Sequence, residues 1–284
     1  MNEFIVRAED SNLSNRLDKL EALAWLDMYK AAPAEFFRQV GMAWTDSHGE
    51  SGFAMRAVSS SLFNRVILSC RKENLPRATL INALAWLKTN GSKNVILDCN
   101  VACLQMFDGL CRDMRLRMRQ DGMAKFWCSD IKSVSANTNG LEVRAVGEEA
   151  GEVFGKLIQE SYGLPPHFSS WLGSIPGRPN WLTYLVYDAN FPIAGAAMYL
   201  VGESAWLGVA ATKPKHRNRG AQSALIARRL ADGLDLRTKI FAVDTGVSFN
   251  VDGPGPSFRN IERAGFMLSH VRRAFELDEN VASL

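Results

Sequence analysis

Between Trp181 and Thr212 three apolar runs, WLTYLVYD, PIAGAAMYLV and SAWLGVAAT, follow one another with only the turn-like ANF and GES between them. Connections this short cannot carry a crossover, so neighbouring runs can pair only in antiparallel fashion. The spacing therefore predicts a β-meander here, and the rest of the chain has to be arranged around it.

The meander runs straight into KPKHRNRGAQSALIARRL, Lys213 to Leu230, which sets six basic side chains and a histidine around the single Gly220 and continues as a helix pattern to about Gly233. The first turn of a helix leaves backbone N–H groups unpaired, the macrodipole adds partial positive charge, and a glycine allows close approach to the backbone. A strand, a short basic loop and a helix in this order have the geometry of an anion site. On these residues alone, a solvated basic loop capping an amphipathic helix is the alternative. Neither the Walker loop pattern nor G-x-G-x-x-G is present.

Further on, TKIFAVDT reads as a buried strand, PSFRNIERAGF as a helix and LSHVRRAFEL as a last strand. Ahead of the meander, LEVRAV reads as a strand and EEAGEVFGKLIQESYGL as a helix stopped by Pro165 and Pro166, followed by the aromatic HFSSWLG. The first half has a similar grammar: a helix from about Arg16 broken by Pro33, short strands GFAMRAV and NRVILSC, the helix RATLINALAWLKTNG, the strand KNVILDC, the helix-like VACLQMFDGLCRDM and the strand-like RLRMRQDGMAKFWC. Pairing NRVILSC with WLGVAAT, RATLINALAWL with AQSALIARRL and NVILDC with KIFAVDT suggests a duplicated α/β unit, although shared α/β grammar alone produces some of this likeness.

A chain of 284 residues, 47% of them hydrophobic, can bury two cores. The polar KSVSANTNG marks the boundary, giving units over 1–131 and 141–284 with a linker over 132–140. A net charge of +3 gives no global argument for a nucleic-acid partner, and the basic residues of the loop lack interleaved aromatics. Five cysteines, Cys70, Cys99, Cys103, Cys111 and Cys128, show no C-x-x-C spacing, so reduced thiols and no metal are expected. The acidic start and the lack of a long apolar window point to a cytoplasmic protein without membrane attachment.

Arg217-Asn218-Arg219-Gly220-Ala221-Gln222, preceded by Pro214, His216 and the strand WLGVAAT, resembles the [QR]-x-x-G-x-[GA] motif of the GNAT family of acetyl-CoA-dependent N-acetyltransferases, departing at Gln222. Arg259 to Phe266, RNIERAGF, looks like that family's late-helix ending, and the element order β, α, α, β, β, β, α, β, α, β over 141–277 is the family order. The resemblance implies a mixed, largely antiparallel α/β sheet flanked by helices in each of two GNAT-like halves. It implies acetyl-CoA as cosubstrate, its pyrophosphate on the backbone from Arg217 to Ser223, with Arg219 and its neighbours screening charge. The pantetheine would lie along Ala210, Ala211 and Thr212, where the fourth and fifth strands splay, and a backbone N–H near Ala210 would stabilise the oxyanion.

The tyrosine that many members use as general acid falls at Ile261. Candidate proton-transfer groups are Asp244 and Glu203 at strand ends, each also readable as a solvated turn carboxylate, and Ser257, also readable as a helix N-cap. By family analogy YGLPPHFSSW roofs the acceptor site, making Tyr162, His167, Phe168 and Trp171 candidates for its wall; aromatics at this spacing also suit a core. His216 is placed for a phosphate contact.

The first half carries CRKENLPRATL where the phosphate loop would be, with Arg71, Lys72 and Arg77 but no glycine, and with Pro76 removing a backbone donor. It reads as a degenerate copy that contributes structure and one wall of the acceptor cleft, or as a distinct α/β partner. Neither half shows a seventh strand, so the family's last hairpin is either truncated or shared between halves or subunits. The expected activity is transfer of acetyl to the primary amine of a small molecule by direct attack, since the second half has no cysteine to carry an acyl group, in a monomer or homodimer. The rival is a coenzyme A-binding regulatory protein whose chemistry has lapsed.

Overall fold

The structure, a computed structural model, describes residues 11–47, 50–68, 77–100, 115–129, 140–249 and 255–277, together with Gly109, Asp113 and Ile131. Residues 132–139 of the expected linker over 132–140, the first-half loop at 71–76, most of the helix-like 101–114, Cys70, Cys103, Cys111, His48, the loop 251–254 and the tail after Leu277 lie outside the described residues.

The strands are β1 (Met42–Ser47), β2 (Glu50–Met55), β3 (Arg65–Leu68), β4 (Ile96–Asn100), β5 (Leu116–Cys128), β6 (Glu142–Val146), β7 (Trp181–Asp188), β8 (Phe191–Val201), β9 (Ser204–Thr212), β10 (Ile240–Ser248) and β11 (Met267–Leu277). The helices are α1 (Ser11–Lys30), α2 (Ala34–Val40), α3 (Arg77–Asn90), α4 (Gly151–Tyr162), α5 (Phe168–Leu172), α6 (Ala221–Asp235) and α7 (Pro256–Arg263). The expected meander is present: β7, β8 and β9 pair antiparallel, and Ala189 and Gly202 take the left-handed conformation in the two tight turns.

All described strands belong to one sheet, in the order β1-β2-β3-β4-β11-β5-β10-β9-β8-β7-β6. The centre of that order answers the question of the seventh strand. β5, from the first half, lies between β10 and β11, while β11, the last strand of the second half, lies between β4 and β5. Each half thus supplies a strand that the other half's sheet needs, and the strands are shared rather than truncated. The halves accordingly have no separate sheets: every hydrogen-bonding edge at the seam is satisfied by the other half, which removes two edges that would otherwise be open.

Helices cover both faces. One apolar cluster joins α1, α2, α4 and α5 to one side of the sheet through Leu17, Leu20, Met28, Phe36, Phe154, Leu157 and Trp171. On the other side α6 and α7 pack Ile226, Leu230, Phe258 and Ile261 against Phe126 and Val243, and α3 packs Leu80, Leu84 and Leu87 against Val66, Leu97 and Phe275. Among the described residues no helix is long and apolar enough to cross a membrane.

The helices α4 and α5 cross where a side chain cannot fit. A Cβ on Gly155 would stand 2.1 Å from the Ser169 carbonyl oxygen and 2.6 Å from the Gly173 nitrogen, both backbone atoms. A Gly→Ala change inside a helix ordinarily gains about 1 kcal/mol in propensity, but here the backbones must separate. Gly155→Ala is expected to destabilise the protein by about 1–3 kcal/mol; thermal unfolding against wild type checks it.

A buried charge cluster seats α1 on the seam. Arg272 of β11 reaches Glu21 at 2.6 Å, Asp18 at 3.2 Å and Asp98 at 3.3 Å. Arg65 pairs with Glu21 at 2.8 Å and Asp98 at 3.0 Å, Lys125 of β5 with Glu21 at 2.6 Å, and His270 Nε2 lies 3.0 Å from Asp18. Each of these groups is almost fully buried. Burial alone would raise the Glu21 pKa, but Arg272, Lys125 and Arg65 hold it well below the usual carboxylate range. For Asp98 burial prevails over its partners and raises the pKa.

Candidate active site

The basic loop folds as a 3-10 turn over Pro214–His216, after which Asn218 (φ 62) and Gly220 (φ 87) adopt left-handed conformations. Gly220 occupies the N-cap of α6 and no side chain caps that helix. The first helical bond runs from the Ala224 N–H to the Gly220 carbonyl, so the N–H groups of Ala221, Gln222 and Ser223 have no partner within the helix. They border a cavity of about 520 Å³ whose lining also includes Ala211, Thr212, His216, Arg217, Asn218 and Arg263. The charge and donors suit a phosphate group. Arg219 departs from expectation: its Nη1 is 2.6 Å from Asp188 Oδ2, and it does not line the cavity.

Next to the cradle the sheet opens. β9 and β10 pair in parallel only from Ser204 to Leu207 and from Ile240 to Val243. On its other edge β9 carries a bulge, because Gly195 faces Ala211 but Ala197 faces Gly208. Val209, inside the bulge, has φ 49, a conformation that costs a β-branched residue about 1–3 kcal/mol. The expected splay is therefore present, and the bulge that accompanies it is built on a strained valine.

A second cavity, about 660 Å³, lies beyond the opening, and Tyr162, Ala210, Gln222 and Ser257 line both. One wall comes from the first half, through Trp25, Met28 and Phe63. Asp244 stands in this cavity. Its Oδ1 accepts from Trp206 Nε1 at 2.5 Å and from Lys125 Nζ at 3.2 Å, while Oδ2 has no partner among the described residues. Lys125 also bonds Glu21, so the site carboxylate is the outermost member of the buried cluster.

Tyr162 stands where the two cavities meet and donates its hydroxyl to the Ala210 carbonyl at 2.9 Å. Tyr162 is 51% exposed as a whole, but desolvation of its hydroxyl, with Asp244 nearby, raises its pKa, and it keeps its proton at neutral pH. Ile261 is buried and lines the second cavity, leaving a hydrocarbon where the family's tyrosine would stand.

The other candidates divide. Ser257 lines both cavities, but Gly255 holds the N-cap of α7 and Pro256 its first position, so Ser257 is not the cap. Glu203 is not in the site: it lies in the β8–β9 turn, mostly exposed, 2.7 Å from Lys239. Trp171 lines the second cavity while donating its indole N–H to the Met28 carbonyl at 2.7 Å. Phe168 is core, fully buried against Phe36 and Phe63, and His167 rests on the Phe36 ring outside both cavities. Among the described residues no group of three or more His, Cys, Asp or Glu side chains is placed to hold a metal ion. Sequence reasoning missed Trp206, Lys125 and Arg229, the last a guanidinium on α6 that lines the second cavity.

Asp244→Asn keeps the shape of the cavity and removes the carboxylate charge. Under the activity that the family resemblance implies, it is expected to lower kcat by about 100-fold or more while leaving coenzyme A affinity unchanged, which steady-state kinetics and calorimetry check.

No protein-family model matches the chain, and no curated protein matches it by sequence. Solved structures do match in shape. A GCN5-related N-acetyltransferase from Kribbella flavida superposes with a TM-score of 0.59 at 11% identity, covering 94% of this chain and 96% of that one. A GCN5-related N-acetyltransferase from Sphaerobacter thermophilus gives 0.59 at 15% identity over 77% of this chain and 74% of that one. A tandem GNAT protein from the clavulanic acid biosynthesis pathway gives 0.51 at 12% identity over 95% and 96%. The chain has the GNAT fold, in an arrangement that extends over nearly the whole length of a tandem protein.

Proposed function

We propose that the protein is an acetyl-CoA-dependent N-acetyltransferase acting on the primary amine of a small molecule. The observation that carries this reading is the continuity of the cleft: an uncapped helix start at Gly220 leads, past a strained bulge, into a second cavity lined by Asp244 and Tyr162. In this reading the N–H groups of Ala221 to Ser223 and the Arg217 side chain hold the pyrophosphate, and the Gln222 amide stands where pantetheine enters. The unpaired edge of Ala210 to Thr212 takes the pantetheine amides as an added strand.

Chemistry follows from the two proton-bearing groups. Asp244 Oδ2 accepts the proton of the attacking amine as nitrogen bonds to the thioester carbonyl carbon. Tyr162, protonated at neutral pH, supplies a proton to sulfur as the carbon–sulfur bond breaks. The Ala210 region stabilises charge on the carbonyl oxygen. Residues 141–284 form the coenzyme A-binding half; residues 1–131 are a degenerate copy that lends β5 and the Trp25 wall, with the exchange of β5 and β11 supporting common descent of the halves.

Thiol release from acetyl-CoA over a panel of primary amines tests the reading. Turnover is expected for at least one class, reduced about 10–100-fold in Tyr162→Phe. Silence across the panel with coenzyme A binding intact would favour a lapsed, regulatory protein, the reading that the hydrocarbon at Ile261 supports.

A further inference from the structure

Every other fully buried cation in the described structure meets carboxylates: Arg65 and Lys125 two each, Arg272 three. Arg229 does not. It is 1% exposed on α6, flanked by the core residues Leu225, Ile226 and Leu230, in a position where a leucine would fit the helix pattern. Its Nε donates to the Leu225 carbonyl at 3.0 Å and its Nη1 to the Ala197 carbonyl at 3.1 Å. Nη2 has no partner, and the guanidinium no ion pair, among the described residues. Burial without a counter-ion draws its pKa down to about 10, whereas Arg65 and Arg272 are shifted upward. An uncompensated buried charge is among the costlier features a core can contain.

Arg229 lines the same cavity as Asp244, whose Oδ2 is also without a partner. Much of the rest of this cavity's lining is apolar, with Trp25, Met28, Phe63 and Trp171 among it. A simple apolar amine would satisfy Asp244 and leave the guanidinium unpaired. A molecule carrying both an ammonium and a carboxylate on an apolar body satisfies all three elements. We infer that the acceptor is a free amino acid with an apolar side chain, its carboxylate bound by Arg229, its amine presented at Asp244, and its side chain held against Trp25, Met28 and Phe63. The inference rests on the N-acetyltransferase reading. It adds a charge-assisted contact that selects for carboxylated acceptors.

The test compares phenylalanine with its methyl ester, which masks the carboxylate, and with phenethylamine, which lacks it. Acetyl transfer is measured at saturating acetyl-CoA, and binding is measured by calorimetry in the presence of coenzyme A. Wild type is expected to prefer phenylalanine by about 30-fold or more in both readouts, the low end of what losing one partner of a buried charge pair costs. In Arg229→Gln the preference should collapse to within about threefold, Arg229→Lys should keep part of it, and coenzyme A affinity should stay within about twofold in both.

Equal use of the three acceptors by wild type overturns the inference, as does a preference that survives in Arg229→Gln. A wild-type preference for succinyl- over acetyl-CoA that Arg229→Gln abolishes also overturns it, because the anion would then sit on the acyl chain. If no acceptor is acetylated, the calorimetric comparison still decides the amino-acid site while the transfer chemistry falls. If Arg229→Gln does not fold, the wild-type comparison and the lysine variant decide.

Discussion

Gly220→Glu is expected to weaken coenzyme A binding by at least about 100-fold, making it undetectable at ordinary calorimetric concentrations. Gly220 holds φ 87, where a side chain costs about 1–2 kcal/mol, and it begins the helix whose free N–H groups border the first cavity. A glutamate at this point strains the turn and sets a carboxylate at the donors meant for phosphate. The loss should therefore far exceed the change in stability, which thermal unfolding of the same variant measures. Gly220→Ala separates the two contributions, since it strains the turn without adding charge, and it should weaken binding less. Unchanged affinity in the glutamate variant would remove the cradle from the account.

The largest effect on stability is expected from Arg272→Met. Arg272 is fully buried and touches Asp18, Glu21 and Asp98, so its removal leaves three carboxylates short of a partner at the seam between β4, β11 and β5. Breaking such a pair costs about 3–5 kcal/mol, which for a chain this size lowers the unfolding temperature by roughly 10 °C or more. A variant as stable as wild type would show that the cluster does not hold the seam.

The cluster also sets the acid limit. Glu21 is depressed in the folded state, so its contribution is present above the ordinary glutamate value of 4.5 and is lost as pH falls below it. Asp98, raised by burial, contributes in the opposite sense and offsets part of that loss. Urea midpoints of wild type should fall as pH is lowered from about 5 to 3. Those of Glu21→Gln, lower at neutral pH, should change less over the same range.

The second half was largely legible because its signals are local. Two-residue turns dictate a meander, and one glycine between a strand and an amphipathic helix dictates an uncapped helix start. The shared strands were not legible: β5 fills the place between β10 and β11 although it is far from both in sequence, and no residue of RLRMRQDGMAKFWC announces which strands it pairs with. Nothing local in the sequence separates Lys125 and Arg272 from charges on the solvent side of strands, or Asp18 and Glu21 from the polar face of a helix. Only the fold shows that these charges face one another in the core. Arg229 is the sharpest case. Within ARRL it reads as one more basic residue of a surface helix, whereas its neighbour Arg228 takes that role through Asp232 and Arg229 turns inward to the cavity. Glu203 misled for the complementary reason: a carboxylate beside a core strand resembles a site residue until the strand's direction places it at the far end.

Calorimetric titration of the full chain with coenzyme A addresses the central claim most directly. One cradle among the described residues, at Gly220, predicts binding of one coenzyme A per chain, abolished in Gly220→Glu. No binding, or two equivalents per chain with one surviving that substitution, would contradict it.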